Sequence, residues 1–243
     1  MRERFVCTHC FAELPLSYFW MSEQNPMADR FNLMIEEVLS GLREKGKGIA
    51  PTSSEEWIEP YTRAVSLYLY QGGFKKISQQ LKYSANLALG RCFSRILGEK
   101  LAVSGLFWDV DMVIPVPLNW KRLWSRGYNQ AEIIAKEVAD VLEARIETQL
   151  LRRCRNTRSQ TTLSVEEKAR NVTGAFTVNL ENLAKVLRCT GVPCSILLVD
   201  DVFTTGSTIF SCWKELRDGT LALGLPPSSV RIGVATLAYV KKD

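Results

Sequence analysis

The stretch LLVDDVFTTGST, Leu197 to Thr208, constrains this chain more than any other part of it. SILLV, from Ser195 to Val199, reads as a strand buried on both faces, because a half-wet strand would alternate apolar and polar positions. The run ends in two adjacent carboxylates, Asp200 and Asp201. A loop of small residues follows, and STIFSCWKELRD, Ser207 to Asp218, reads as a helix. Strand, polar turn and helix in that order form the repeating unit of an α/β domain with a mainly parallel sheet. Such sheets bind ligands beyond the carboxyl ends of their strands, which is where Asp200 and Asp201 fall.

The other elements follow from periodicity and caps. Residues 26 to 45 carry Phe31, Met34, Ile35, Val38, Leu39 and Leu42 at helical spacing. Gly46 to Glu56 reads as a linker. Phe74 to Leu97 looks helical and amphipathic in stretches, and Asp111 to Leu118 reads as a short buried strand ending at prolines. Between Gly127 and Glu143, Ala131, Ile134, Ala135, Val138, Ala139 and Leu142 keep a helical stripe, with Asn129 and Glu132 at capping-box spacing. Arg145 to Leu151 reads as the next strand, and Ser164 with Glu167 as the start of a short helix. Ala175 to Val178 and Val230 to Val240 read as further strands.

Composition removes several chemistries. Of 243 residues, 46% are hydrophobic, enough for one large core or a core with a small appendage. There is no apolar run long enough for a transmembrane helix and no long apolar segment in MRERFVCTHC, so the expectation is a soluble, cytoplasmic protein without membrane insertion. The net charge of +5 suits phosphate-bearing ligands or nucleic acid and is diagnostic of neither. The single histidine is His9, which rules out a Ser-His-Asp triad, a Cys-His dyad or a multi-histidine metal centre on the main body. Of seven cysteines, Cys92, Cys154, Cys189, Cys194 and Cys212 lack disulfide-framework spacing and read as buried or incidental thiols.

Chemistry is therefore left to carboxylates, cations, hydroxyls and backbone amides. A turn between a buried strand and a helix points N–H groups outward at the positive end of the helix dipole. Gly206 lets the backbone approach an anion closely. Thr204, Thr205, Ser207 and Thr208 add hydroxyl donors. No lysine follows the glycine, so this phosphate cradle is not a P-loop. The aspartates need a different partner, either sugar hydroxyls, which donate to carboxylates, or a metal ion. A phosphate beside a diol describes a ribose 5-phosphate unit. The plainer alternative is a turn in which the aspartates only cap the helix.

DDVFTTGST resembles the phosphoribosyl pyrophosphate signature of type I phosphoribosyltransferases. YQGGFKKISQQLKY (Tyr70 to Tyr83), VIPVPLNWKRLWSRGYNQAE (Val113 to Glu132) and LRRCRNTRSQTTLSVEEKARNVTGAF (Leu151 to Phe176) resemble one branch, the ComF family of competence proteins, over about residues 65 to 240. The resemblance implies a type I phosphoribosyltransferase-like, Rossmann-like fold: a mainly parallel sheet flanked by helices, with a small N-terminal partial zinc-module segment. It implies phosphoribosyl pyrophosphate with Mg²⁺ as ligand, Asp200 and Asp201 on the ribose hydroxyls as the catalytic pair, and Thr204, Thr205, Gly206, Ser207 and Thr208 around the 5-phosphate. Pro115, Pro117, Lys121, Arg122 and Arg126 would lie near the pyrophosphate; for Lys121 and Arg122 an exposed basic turn is the alternative. Arg152, Arg153, Arg155 and Arg158 would sit on a hood over the site, where guanidinium suits phosphate. That segment also reads as a solvated basic loop or as a nucleic-acid contact. Trp120, Trp124 and Tyr128 alternate with Lys121, Arg122 and Arg126, a pattern on which single-stranded DNA can stack.

The resemblance leads to two functions. One is a phosphoribosyltransferase with an unidentified acceptor, since no residue stands out for base recognition. The other is a non-catalytic competence factor that keeps the ribose-phosphate site and binds single-stranded DNA or competence proteins. A nucleotide-binding regulator is a third, weaker option. CTHC places Cys7 and Cys10 at zinc-ligand spacing, yet a structural site needs four ligands. Family members commonly carry two C-x-x-C pairs, so Cys7 and Cys10 resemble the second half, with the first expected upstream of Met1. Zinc is expected only if those upstream cysteines exist. The expected organisation is 1–25 as the zinc-ribbon-like segment, 26–64 as a helical region and linker, and 65–243 as the phosphoribosyltransferase-like domain.

Overall fold

A computed structural model describes residues 6–44, 61–83, 86–154 and 174–241. The expected linker Gly46–Glu56, the capping pair Ser164 and Glu167, and Arg155 and Arg158 lie outside the described residues.

Five parallel strands form the main sheet in the order β1-β7-β6-β2-β3. They are β1 (Ala64–Leu69), β2 (Met112–Pro115), β3 (Arg145–Ile146), β6 (Cys194–Phe203) and β7 (Val230–Tyr239). The helices are α1 (Thr8–Ala12), α2 (Pro26–Glu44), α3 (Gly72–Tyr83), α4 (Leu87–Ser104), α5 (Trp120–Arg126), α6 (Gln130–Leu142), α7 (Leu180–Thr190) and α8 (Ser207–Ala222). β4 (Leu151–Arg153) and β5 (Phe176–Val178) make a separate antiparallel pair. This is the expected α/β class, with helices on both faces of a mainly parallel sheet.

One face carries α2, α7 and α8, whose Phe31, Leu187, Trp213 and Leu216 share a core with Ile196 and Leu198. The other carries α3, α4 and α6, whose Phe74, Leu97 and Ile134 pack with Leu197 and Val199. α2 is thus an integral layer, and its Phe31 ring meets Phe203, Phe210 and Trp213 edge-on at 6.3, 5.9 and 6.5 Å. Residues 15–17 lie antiparallel beside β1: the Ser17 N–H donates to Leu67 O (3.0 Å) and the Leu69 N–H to Pro15 O (2.8 Å).

The helical stretches expected over Phe74–Leu97 are parts of α3 and α4, the second started by Asn86, whose side chain accepts the Leu89 N–H at 3.1 Å. Other expectations are corrected. Arg145–Leu151 is not one strand, because a turn in which Glu147 accepts the Gln149 N–H (2.7 Å) sends β3 and β4 to different sheets. The central strand does not stop at Val199. It pairs with β7 through Asp200↔Thr236, Val202↔Ala238 and Phe203↔Tyr239, so both aspartates are strand residues. β1, α5 and α7 have no counterpart among the elements expected from sequence.

Alternation along the sheet slips at one level. Leu67 and Tyr68 both face the α3/α4/α6 core, as do Leu237 and Ala238 one strand over, and the direct pairing skips Leu67, Leu237 and Asp201. Just before the slip, Ser66, Thr236 and Asp200 stand in register across β1, β7 and β6. Each serves its own strand's backbone. Ser66 Oγ donates to Tyr68 O (3.0 Å), Thr236 Oγ1 donates to Ala238 O (3.1 Å), and Asp200 Oδ1 accepts the Asp201 N–H (2.8 Å).

Candidate functional site

The two carboxylates leave β6 toward opposite faces, as neighbours on a strand do. Asp200 follows Ile196 and Leu198 onto the α8 face. There its negative charge, second to burial, holds the Cys212 thiol well above its ordinary value. Asp201 turns to the other face and lines a narrow cavity with Leu81, Tyr128, Gln130, Ile134 and Leu237. That cavity, about 10 Å³, has room for about one water. Tyr128 closes it by donating to Leu81 O.

The loop after β6 is built around Gly206, which sits at φ +83° as the N-cap of α8. A Cβ there would come within 2.5 Å of the Phe203 ring, so both backbone angle and space demand glycine. The hydroxyls of Thr205 and Ser207 are buried and bond each other at 2.9 Å, while Thr204 is exposed at the tip and Thr208 is half-buried. The backbone N–H groups of Thr204, Thr205 and Gly206 donate to no group among the described residues. Consecutive unspent N–H groups at a helix start form a concavity for an anion.

The cations reach this end of the sheet by different routes. β2 ends at Pro115, which pairs with Val199, and the Val116 N–H donates to Val199 O at 2.9 Å, so the Pro115–Pro117 segment runs beside Asp200. Asn119 then starts α5 by accepting the Lys121 N–H at 3.0 Å. Arg153, at the end of β4, lies over the Phe176 ring at 5.1 Å. Burial first, and then the charge of Arg122, lower its pKa, while Cys212 and Asp200 act in the opposite direction. Asp200, Arg122 and Arg153, expected separately from sequence, are thus electrostatic neighbours. Arg126 Nη1 donates to Gln130 Oε1 (3.1 Å) beside the Asp201 cavity. Lys121 instead extends over the exposed Trp120 ring at 5.5 Å.

No signal in the sequence marks Arg30. From α2 its Nη1 donates to Thr204 O at 3.0 Å, and its guanidinium lies 5.9 Å from the centre of the Phe203 ring.

Mg²⁺ prefers oxygen ligands and keeps much of its water and phosphate shell, needing one or two protein carboxylates. Asp200 and Asp201 fit that role. No cluster of three or more His, Cys, Asp or Glu forms a cage among the described residues. The same finding bears on zinc, since Cys7 and Cys10 are exposed and no further ligand joins them among the described residues. The Cys10 N–H donates to Cys7 Sγ at 3.4 Å and lowers the Cys7 pKa; hydrogen bonding to Cys7, and its charge, raise that of Cys10. Two thiols alone do not make a structural zinc site.

No family model matches the chain. DNA utilization protein YhgH of Escherichia coli O6:H1 is 30% identical over 154 residues, covering 62% of this chain and 63% of that protein. Competence protein F of Haemophilus influenzae is 34% identical over 107 residues, 44% of each chain. Competence protein ComFC of Streptococcus pneumoniae is 28% identical over 157 residues, 63% of this chain and 61% of that one. The chain therefore spans less than two thirds of the length of each of these three relatives. Among solved structures, a hypothetical protein from Neisseria gonorrhoeae with bound ppGpp covers 64% of this chain and 69% of its own, at 19% identity and a TM-score of 0.37, a likeness too slight to carry an argument. The chain is thus similar, over more than half of its length, to curated proteins of competence and DNA utilisation, as the ComF-like stretches lead one to expect.

Proposed function

We propose that this chain binds phosphoribosyl pyrophosphate with Mg²⁺ at the carboxyl end of β6, in a role linked to competence or DNA utilisation. The observation that carries the reading is the meeting, at one strand end, of two carboxylates, a loop with unspent N–H groups, and the guanidiniums of Arg122 and Arg153. A carboxylate accepts from a sugar diol and cannot hold a phosphate; the N–H loop and the guanidiniums do the reverse. Bound Mg²⁺ would offset charge on the pyrophosphate. In transfer to a nitrogen nucleophile, the bond from ribose C1 to pyrophosphate breaks as the new C–N bond forms, through an oxocarbenium-like state. This chain's residues would fix the ribose and stabilise the departing anion. The test is calorimetric titration of phosphoribosyl pyrophosphate with Mg²⁺ into wild type and the Asp200→Asn, Asp201→Asn double variant. Binding lost in the variant supports the site; no binding by folded wild type removes the assignment.

A second reading, single-stranded DNA binding, is favoured by α5. Trp120 and Trp124 are 61% and 89% exposed, beside Lys121, Arg122 and Arg126, where core aromatics would be hidden. Exposed aromatics stack on bases while cations hold the backbone. Oligonucleotide binding that weakens steeply with salt supports it. Binding unchanged in Trp124→Ala removes α5 from the reading.

A further inference from the structure

We infer that Arg30 of α2 is a positioning residue for the phosphate loop, fixing the Thr204–Thr205 peptide in its anion-binding orientation; this rests on the sugar-phosphate reading above. A cradle of backbone N–H groups works only if its carbonyls point elsewhere. In a trans peptide the C=O of one residue and the N–H of the next point in opposite directions. Arg30 Nη1 holds Thr204 O at 3.0 Å, so the Thr205 N–H faces away from Arg30. That N–H is among those without a partner among the described residues.

The anchor is itself fixed from several sides. α2 starts at Asn25, whose Oδ1 accepts the Met27 and Ala28 N–H groups (3.0 and 3.1 Å) and whose Nδ2 donates to Ala64 O in β1 (3.0 Å). The neighbouring Phe31 is buried against Phe203, Phe210 and Trp213. α2 therefore holds the Arg30 backbone beside the loop, and the guanidinium rests on Phe203, the ring that also confines Gly206. Without it, the Thr204 carbonyl has no donor among the described residues and the peptide is free to turn that oxygen toward the cradle, where it would repel a phosphate.

The experiment titrates ribose 5-phosphate into wild type, Arg30→Met and Arg30→Lys, and follows thermal unfolding of each. Methionine keeps an apolar stem but no donor, whereas lysine keeps a cation able to reach a carbonyl. The expected result is affinity about tenfold lower in Arg30→Met, the scale of one charge-assisted hydrogen bond, with most of it regained in Arg30→Lys. The melting temperature should stay within about 2 °C of wild type, because Arg30 adds no buried apolar surface to the core. Equal affinity in Arg30→Met and wild type overturns the inference and leaves the sugar-phosphate reading standing. Loss in Arg30→Lys as deep as in Arg30→Met, with a matching fall in melting temperature, also overturns it, in favour of a structural role. Failure of wild type to bind ribose 5-phosphate removes both.

Discussion

Replacing Gly206 by alanine puts the loop geometry at stake. Two costs are expected, and they separate. The backbone at φ +83° lies in the left-handed region, where a Cβ costs about 1–2 kcal/mol. The new Cβ would also sit 2.5, 3.0 and 3.2 Å from three atoms of the Phe203 ring. That ring is 1% exposed, stacks on Tyr239 at 5.7 Å and meets Phe31 at 6.3 Å, so it cannot swing away without disturbing both. Overpacking of this kind costs about 1–3 kcal/mol. The sum, about 2–5 kcal/mol, is a large share of a typical folding free energy. Gly105, the C-cap of α4, provides the control: it sits at φ +69° with nothing within 4 Å of the added Cβ. Gly105→Ala should show only the backbone cost. The assay is urea unfolding followed by tryptophan fluorescence, comparing midpoints at unchanged slope. Gly206→Ala should exceed Gly105→Ala by about 1–3 kcal/mol. Equal costs in the two variants would refute the claim that the Phe203 ring, and not the backbone angle alone, dictates glycine at this turn.

Three further outcomes are expected. Phe31→Ala should lose about 3–5 kcal/mol, because it empties a fully buried site ringed by Phe203, Phe210 and Trp213; a denaturant midpoint near wild type would contradict α2 as a core layer. With a thiol reagent at neutral pH, the exposed Cys7, Cys10, Cys154 and Cys189 should react in the native protein. Cys194, its thiol pushed up to about 11 by burial, and the fully buried Cys212 should react only on unfolding. Trp124→Ala, at an 89% exposed position, should leave thermal stability unchanged while weakening oligonucleotide binding by about 1–3 kcal/mol per stacked base; a shift in stability without one in binding would place Trp124 in packing.

How much was legible depended on whether a feature was local. The strand from Ser195, the turn and the helix from Ser207 could be read because hydrophobic run, glycine and helical stripe coincide within one stretch. Asn129 was read correctly as a cap, although its Oδ1 accepts the Ala131 N–H and its Nδ2 donates to Glu132 Oε1, so the reciprocal bond runs side chain to side chain. β1 carried local signals, since Val65, Leu67 and Leu69 alternate with Ser66 and Tyr68 before the turn pair Gly72-Gly73, but so short a run after a polar linker stands out little until β7 pairs with it. The join between α3 and α4 escaped because apolar spacing continues past Asn86. Arg122 and Arg153 could be named as cations, but their approach to Asp200 brings α5 together with a separate antiparallel pair, β4 and β5, that packs against α8. Arg30 lies far from the loop in sequence, and nothing local distinguishes it from any surface arginine.

The row Ser66–Thr236–Asp200 has a consequence for how the site opens. Asp200 stands in a row that crosses β1, β7 and β6 through backbone pairing, Ser66 with Thr236 and Thr236 with Asp200, while each side chain bonds its own strand. Moving the backbone there means parting β6 from β7, which pair directly at Asp200↔Thr236 and Val202↔Ala238 in the middle of the sheet, an event that draws on the free energy of the whole domain. Thr204 is an exposed tip that one guanidinium holds. The two ends of the site should therefore breathe on different clocks: amides around Asp201 exchanging only with global unfolding, and those at the loop tip exchanging through local opening, far faster.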